Sequence, residues 1–195
     1  MTNIKGKRQS ERSRKQIKEA LQKLLRSKSY GEISVGEIVE QADVGRSTFY
    51  RHFKSKADVM VDLHGDMFAK IFEELHSPED WLAGHSAKII CKMFDTHLNS
   101  QATKTSIAGN IGADLDYIMR GVVSLLGKSI QTGLEKTFAN TSSSVPFPVT
   151  ASSIAGIYGM TFMTWKGTFP EISGEELADH VQRLIGAVIR ESVAE

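Results

Sequence analysis

The chain has 195 residues, of which 41% are hydrophobic and 24% charged, so it is long enough to bury a core as one or two globular domains. The single cysteine, Cys91, excludes an internal disulfide and a zinc site built on cysteine pairs, and it favours a reducing, cytoplasmic compartment. We expect neither a secretion signal nor a membrane span, because no apolar run approaches the roughly 18 residues that a spanning helix needs.

The charge is divided unevenly along the chain. Residues 1–56 contain 14 Lys+Arg and 6 Asp+Glu, a balance of +8, which leaves a balance of −7 for residues 57–195, given the net charge of +1. A basic N-terminal part followed by an acidic remainder indicates two separate roles. The basic part is the one that phosphate would attract.

The N-terminal third reads as an arm followed by three helices. Residues 1–9 are polar and basic, and we expect them to form a mobile arm. From Ser10 to about residue 28, apolar side chains recur at the spacing of an amphipathic helix: Ile17, Ala20, Leu21, Leu24 and Leu25. A capping box of Ser34 and Glu37 begins a second helix, over 34–42. After a break at 43–45, a short helix runs to His52, and two short helices joined in this way form a helix-turn-helix.

The rest of the chain also reads as helix. A Ser-x-x-Asp cap at Ser55 begins a long helix that ends near Leu75. Further helices are predicted at about 79–99, 102–109, 113–139, 149–167 and 174–193. The alternation typical of strands is absent, so we predict an all-α fold with about nine helices. We place a helix-turn-helix domain at 1–55 and a larger helical body at 56–195.

The stretch 43-DVGRSTFYRHFKSK-56 combines cations, hydroxyls and aromatic rings with a single acid, Asp43. Helical spacing turns Phe49 and Phe53 inward and the polar side chains outward. Arginine pairs with guanine in the major groove, while hydroxyl and lysine side chains suit phosphate. The side chains expected to face DNA are Arg46, Ser47, Thr48, Tyr50, Arg51, His52 and Lys56. The alternative is a solvated basic surface on which Tyr50 and His52 only pack.

The segment 34-SVGEIVEQADVGRSTFYRHFKSKADVM-60 resembles the DNA-binding head of the TetR (tetracycline repressor-like) family of bacterial regulators. The resemblance lies in Ala42 and Val44 around the turn, the run Ser47 to Phe53, and Lys54 to Lys56. It implies DNA contact by Arg46, Ser47, Thr48, Tyr50, His52 and Lys56. It also implies that Ser34 caps its helix and touches phosphate. Gly36 departs from members whose side chain at that position reaches DNA.

The same resemblance implies that the body dimerises through its last two long helices. Residues 151–167 are small and apolar around much of the helix, and 174–193 offers a matching apolar stripe. The expected interface residues are Ala155, Gly159, Leu177, Val181, Leu184 and Val188. The alternative is that both helices complete the core of a monomer.

The resemblance further implies a pocket for a small-molecule effector in the body. Methionine and aromatic side chains are adaptable pocket linings, although they suit an ordinary core equally well. The candidates are Met67, Phe68, Phe94, Met119, Met160 and Met163. The histidines are scattered, so we predict no metal and no cofactor. Because no catalytic motif is present, we also predict that the chain is not an enzyme.

These patterns together predict a sequence-specific DNA-binding transcriptional regulator. By resemblance to the family, it acts as a repressor and as a homodimer on a palindromic operator, and an unidentified small-molecule effector releases it. The expected partners are double-stranded DNA, a second copy of the chain and that effector, with no membrane. The alternative is a helical protein-interaction module whose basic head binds acidic partners. Steep weakening by salt would favour DNA.

Overall fold

The computed structural model describes residues 2–83, 87–91 and 111–193. Over these ranges the chain forms helices and no strand, which confirms the all-α prediction. The helices are α1 (Thr2–Leu24), α2 (Val35–Gln41), α3 (Arg46–His52), α4 (Lys56–Glu73), α5 (Pro78–Leu82), α6 (Leu115–Thr137), α7 (Phe147–Thr168) and α8 (Gly174–Val193). A helical segment covers 87–91, and 3-10 turns cover Tyr30–Glu32 and Gly112–Asp114. The helix predicted at 102–109 lies outside the described residues.

The described residues cluster in two compact units. One comprises 2–63 together with 111–118, and the other comprises 64–83, 87–91 and 119–193. Helices α4 and α6 each begin in the first unit and continue in the second. In the part of the chain that the structure covers, no helix is long and apolar enough to cross a membrane.

Helix α1 is longer than expected. It begins at Thr2, so the residues predicted to form a mobile arm continue the helix instead. Lysine, arginine and glutamine propagate a helix readily, and Gly6 is the one weak helix former among 5–9. The apolar stripe of α1 appears where the sequence placed it, with Ile17 and Leu21 fully buried.

The core of the first unit holds the helix-turn-helix together. The buried face of α1 packs against Ile38 of α2 and Phe49 of α3, with Ile33 and Val59 completing the cluster. The turn between α2 and α3 depends on Asp43, whose φ of 52° lies in the left-handed region. Asparagine and aspartate tolerate this region better than most side chains, which explains the sharp reversal after Ala42.

The second unit is built around aromatic side chains and the α7–α8 pair. Trp81 is buried, stacks on Phe72 with ring centroids 5.5 Å apart and donates from Nε1 to Thr137 Oγ1 at 3.1 Å. Helix α6 approaches it through Gly133, where an added Cβ would lie 2.5 Å from Trp81 Cζ2. The hydroxyl of Ser144 donates to the carbonyl of Glu191 at 2.9 Å, which caps the end of α8.

Candidate nucleic-acid interface

The first turn of α2 is fixed by the predicted capping box. Ser34 Oγ accepts from the N–H of Glu37 at 3.2 Å, while Glu37 Oε2 accepts from the N–H and Oγ of Ser34 at 2.9 and 2.8 Å. Lys28 Nζ also donates to Glu37. That bond and the hydrogen bonds from Ser34 lower the pKa of Glu37 from 4.5 to about 2. Ser34 is therefore an exposed hydroxyl held in place at the start of α2.

Helix α3 buries one face and presents the other. Phe49 and Phe53 are 0% and 4% exposed, as the spacing predicted. Gly45 is the N-cap and its carbonyl accepts from Thr48 and Phe49 at 2.9 and 3.1 Å. Burial of the two phenylalanines sets the rotation of α3 about its axis, and with it the direction of every other side chain on the helix.

Four of the predicted contact residues lie exposed on the outer face of α3, namely Arg46, Ser47, Tyr50 and Arg51. Tyr50 packs edge-on against Phe49 at 5.3 Å but leaves 59% of its surface exposed. Arg46 reaches back toward α2, because a Cβ on Gly36 would lie 3.9 Å from its Nη2 and 3.6 Å from Ser34 Oγ. The structure thus brings Ser34, Gly36 and Arg46 together, and a side chain at position 36 would contact the Arg46 guanidinium group.

Thr48 and His52 are half-buried rather than exposed. The His52 ring lies 6.3 Å from that of Phe53, and its Nε2 is buried with no hydrogen-bond partner among the described residues. Burial, followed by the charges of Arg14 and Arg51, lowers the pKa of His52 below 6.5. The His52 ring therefore packs at the edge of the core, which is the alternative that the sequence left open for this residue.

Lys56 is tied to the protein itself. Its Nζ donates to the carbonyls of Tyr30 and Ile33 at 2.9 and 2.8 Å and lies 4.3 Å from the centre of the Tyr30 ring. An ammonium group has three N–H donors, so one remains for a phosphate oxygen. Lys54, which the sequence interpretation left out of the contact set, is exposed two residues after α3 ends.

Two tyrosine–carboxylate hydrogen bonds join the region around the start of α6 to other segments of the first unit, one to the turn before α2 and one to the start of α4. Tyr30 Oη donates to Asp114 Oδ2 at 2.7 Å, and Tyr117 Oη donates to Asp58. The other oxygen of Asp58 caps α4 by accepting from the N–H of Ser55 at 3.0 Å. Burial and Asp114 raise the pKa of Tyr30. No local sequence signal identifies these partners, since Tyr30 and Asp114 are 84 positions apart.

The residues expected in the dimer interface divide into buried and accessible ones. Ala155, Gly159, Leu177 and Val181 are buried within the chain, and an added Cβ on Gly159 would lie 2.7 Å from Val123. These four small or apolar residues pack within the chain's own core, which is the alternative that the sequence left open. Leu184 remains 54% exposed and Val188 half-buried.

The residues expected in the effector pocket differ widely in their exposure. Phe68 is fully buried, Met67 and Met119 are half-buried, and Met160 and Met163 are 62% and 57% exposed. Phe94 lies outside the described residues. A shallow groove of about 250 Å³ between α6 and α7 is lined by none of them. Its lining mixes small, apolar and polar residues: Val123, Ser124, Gly127, Lys128, Gln131, Ser152 and Ala155.

Comparison with known proteins agrees with this architecture. A family model described as bacterial regulatory proteins of the TetR family matches residues 17–63. FadR of Thermus thermophilus, a TetR-family transcriptional repressor solved with lauroyl-CoA, is 17% identical with a TM-score of 0.60 over 93% of this chain and 96% of its own. A TetR transcriptional regulator of Streptococcus agalactiae 2603V is 22% identical with a TM-score of 0.50 over 93% and 98%.

RolR, solved in complex with resorcinol, is 16% identical with a TM-score of 0.56 over 96% of both chains. No match is found among curated proteins. The resemblance to the TetR family is confirmed by the matching domain and by the family of these structural neighbours. TetR-family regulators are DNA-binding proteins without enzymatic activity.

Proposed function

We propose that this chain, which carries a TetR-family N-terminal domain at 17–63 and has the fold of TetR-family transcriptional regulators, reads a specific DNA sequence. In this proposal it acts as a repressor and a homodimer on a palindromic operator, and a small-molecule effector releases it. The observation that carries the proposal is the orientation of α3. Its aromatic face is buried, and Arg46, Ser47, Tyr50 and Arg51 face solvent.

The exposed side chains suit major-groove recognition. In a helix-turn-helix the second helix enters the groove with its N-terminal residues against base edges. Arg46 is the first residue of α3, and its guanidinium group offers paired donors to guanine. Ser34, Tyr50 and Lys54 suit phosphate oxygens on either side of the groove. The third N–H of Lys56 adds one further donor at the same surface.

A face of α7 supports dimerisation. Val149, Met160 and Met163 are more than half exposed, and their spacing of eleven and fourteen residues places them on one side of the helix. An added Cβ on Gly156 or Gly167 would meet no atom within 4 Å. A row of exposed apolar side chains beside glycines suits close approach by a second copy related by a two-fold axis. Such a dimer would read two half-sites about 34–36 Å apart.

Release by an effector rests on the second unit and on the neighbours. FadR of Thermus thermophilus and RolR were solved with lauroyl-CoA and resorcinol. For this chain we propose a small-molecule site in the second unit, near Met67, Phe68 and Met119, which are the candidates among the described residues that are not exposed. An effector acts by preferring one arrangement of the chain, and each tenfold loss of DNA affinity requires a coupling of about 1.4 kcal/mol.

Selection of bound sequences from a random duplex pool tests the DNA-reading proposal. We expect an enriched palindrome whose affinity falls steeply with salt. Arg46→Ala should blur the preference at one base pair of each half-site, whereas Tyr50→Phe should weaken binding to all duplexes alike. Enrichment of no sequence, together with binding to acidic proteins, would favour the protein-interaction module instead.

Light scattering tests the dimer. Met160→Lys with Met163→Lys should convert a dimer to a monomer, because two charges would be desolvated on each side of the interface. Leu82→Lys is the control, since Leu82 is also exposed but lies on α5 rather than on α7. A doubly substituted chain that remains dimeric would exclude this surface.

Operator affinity measured with and without added lauroyl-CoA or resorcinol, followed by a wider panel of small molecules, tests the release. Thermal stabilisation of the chain identifies the compounds that bind. If every compound that stabilises the chain leaves operator affinity unchanged, effector release is rejected and DNA recognition stands.

A further inference from the structure

The first twelve helical positions of α1 have no role in the recognition described above. We call residues 2–13 the N-terminal extension, because α1 first meets the core at Arg14 and Ile17. No side chain from Gly6 to Ser13 is buried. At about 1.5 Å per residue the extension continues α1 for about 18 Å beyond the point where α1 meets the core.

From Lys5 onward the extension has no apolar side chain to bury. The sequence from Lys5 to Gln16 is KGKRQSERSRKQ, which contains no hydrophobic side chain. A short helix that is polar on all sides is marginal in water, and Gly6 lowers its helix propensity further. A membrane-surface helix and a helix bound in a protein groove both need an apolar face. The partner that stabilises this helix must therefore offer charge.

The extension carries positively charged side chains that are exposed and can bind an anion. Arg8, Arg12 and Lys15 follow one another at i, i+4 and i+7, so they share one face of α1. Arg8 and Arg12 are exposed and have no ion-pair partner in the described part of the chain. Lys15 is paired only with Glu19, at 3.7 Å, and both side chains are largely exposed, so that pair is weak.

The neighbouring cations on α1 are used differently. Arg14 donates from Nε to Asp62 at 3.0 Å, and Lys18 lies 3.2 Å from the same carboxylate. Both cations are thus held at the Asp62 carboxylate, where α1 meets α4. The face that carries Arg8 and Arg12 keeps two exposed cations without a carboxylate partner among the described residues.

The position of the extension indicates which anion it meets. The guanidinium carbon of Arg14 lies 5.6 Å from the centre of the Phe53 ring, and Phe53 directly follows α3. The extension therefore begins beside the C-terminal end of the helix that faces the major groove. A helix in that groove is flanked at both ends by sugar-phosphate backbone.

We propose that the N-terminal extension is a second DNA contact, which binds the sugar-phosphate backbone flanking the sequence read by α3. Arg8 and Arg12 are its phosphate ligands. The inference rests on the proposed function and extends it, because the contact adds affinity and footprint length without adding base preference. Phosphates of DNA form the continuous anionic surface that a row of cations with one-turn spacing fits.

Salt titration of full-length variants tests this contact. Arg8→Gln with Arg12→Gln is compared with Lys70→Gln with Lys136→Gln, which removes two exposed charges from the second unit. Each variant is titrated between 50 and 200 mM salt on two duplexes that carry the selected palindrome, one trimmed to the palindrome and one with about six further base pairs on each side.

The extension variant should reduce the slope of log affinity against log salt by about 1.8 for each bound chain, since each phosphate contact contributes about 0.9. Raising the salt from 50 to 200 mM should therefore weaken DNA binding by a factor roughly ten times smaller in this variant than in wild type, for each bound chain. Wild type should bind the longer duplex more tightly, and the extension variant should bind both duplexes equally. Base preferences should remain unchanged, and the control variant should behave as wild type.

Three results would overturn the inference. One is an unchanged slope in the extension variant, which would leave an acidic protein as the partner. Another is an equal loss of slope in the control variant, and the third is an unchanged dependence on duplex length. A wild-type chain that binds no duplex would instead overturn the proposed function itself, so the two failures are distinguishable.

Discussion

Replacing Lys56 with methionine separates a structural role from a DNA-binding role at a residue that the sequence assigned to phosphate. Its ammonium group donates to two backbone carbonyls, those of Tyr30 and Ile33, at 2.9 and 2.8 Å. Hydrogen bonds to a charged group contribute about 1.5–3 kcal/mol each, which sets an upper limit of about 6 kcal/mol. Lys56 is only half-buried, and water can reach the freed carbonyls, so we expect a loss of about 2–4 kcal/mol.

Lys54→Met is the matched control for this change. Lys54 is exposed two residues away, and its substitution removes the same charge from the same surface. For a chain of this size, 1 kcal/mol corresponds to about 2–4 °C in Tm, so Lys56→Met should melt about 4–16 °C below wild type while Lys54→Met stays within about 2 °C. Both variants should bind DNA more weakly at temperatures where both remain folded. Equal melting temperatures for the two variants would refute the structural role derived from the Lys56 geometry.

Three further predictions concern stability. The pKa of Glu37 is lowered from 4.5 to about 2, so its ionised form stabilises the fold. The Tm of wild type should therefore exceed that of Glu37→Gln by its full margin above about pH 4.5, and the margin should disappear as the pH falls toward 2. A difference in Tm that does not change with pH would contradict this. Gly133→Ala should lower stability by about 1–3 kcal/mol in urea denaturation because its Cβ would meet the buried Trp81 ring, whereas Gly6→Ala, with open space around it, should not. Tyr30→Phe should lower stability by about 1–3 kcal/mol in the same assay, since it removes the donor to a part-buried carboxylate, and no change would show that water replaces the hydroxyl.

In the proposed DNA-reading surface, the backbone of α2 and α3 is held in place by the protein, while the side chains that would contact DNA are exposed. The Ser34–Glu37 capping box and the buried phenylalanines of α3 set the backbone before DNA arrives, whereas Arg46 and Arg51 are left exposed. Such preorganisation limits the entropy lost on binding to that of a few side chains. The fixed frame therefore favours a specific contact over a general attraction of charges.

Local features were predictable from the sequence because each depends on residues within about four positions of one another. The capping box at Ser34, the apolar stripe through Ile17 and Leu21, and the inward turn of Phe49 are all of this kind. The same holds for the break at 43–45, where the structure places a left-handed Asp43. The charge division between 1–56 and 57–195 likewise needs only the residue order.

Contacts between distant segments were not predictable in this way. The sequence assigned Lys56 to phosphate, but the carbonyls that bind it belong to residues 23 and 26 positions earlier. It also placed Ala155 and Gly159 at an interface with a second copy, whereas α6 covers them through Gly127 and Val123. A periodic stripe shows that a helix has a face to bury, yet it does not say which neighbour buries it.

By itself the sequence determined an all-helical chain with a basic helix-turn-helix near its N-terminus, because capping, periodicity and charge act over one or two turns. Only the tertiary structure decided that Met160 and Met163 are exposed, that the Lys56 ammonium group binds two backbone carbonyls, and that residues 6–13 of α1 bury no side chain. The reason is that a side chain is buried only when another segment packs over it, and that segment is usually distant in the sequence.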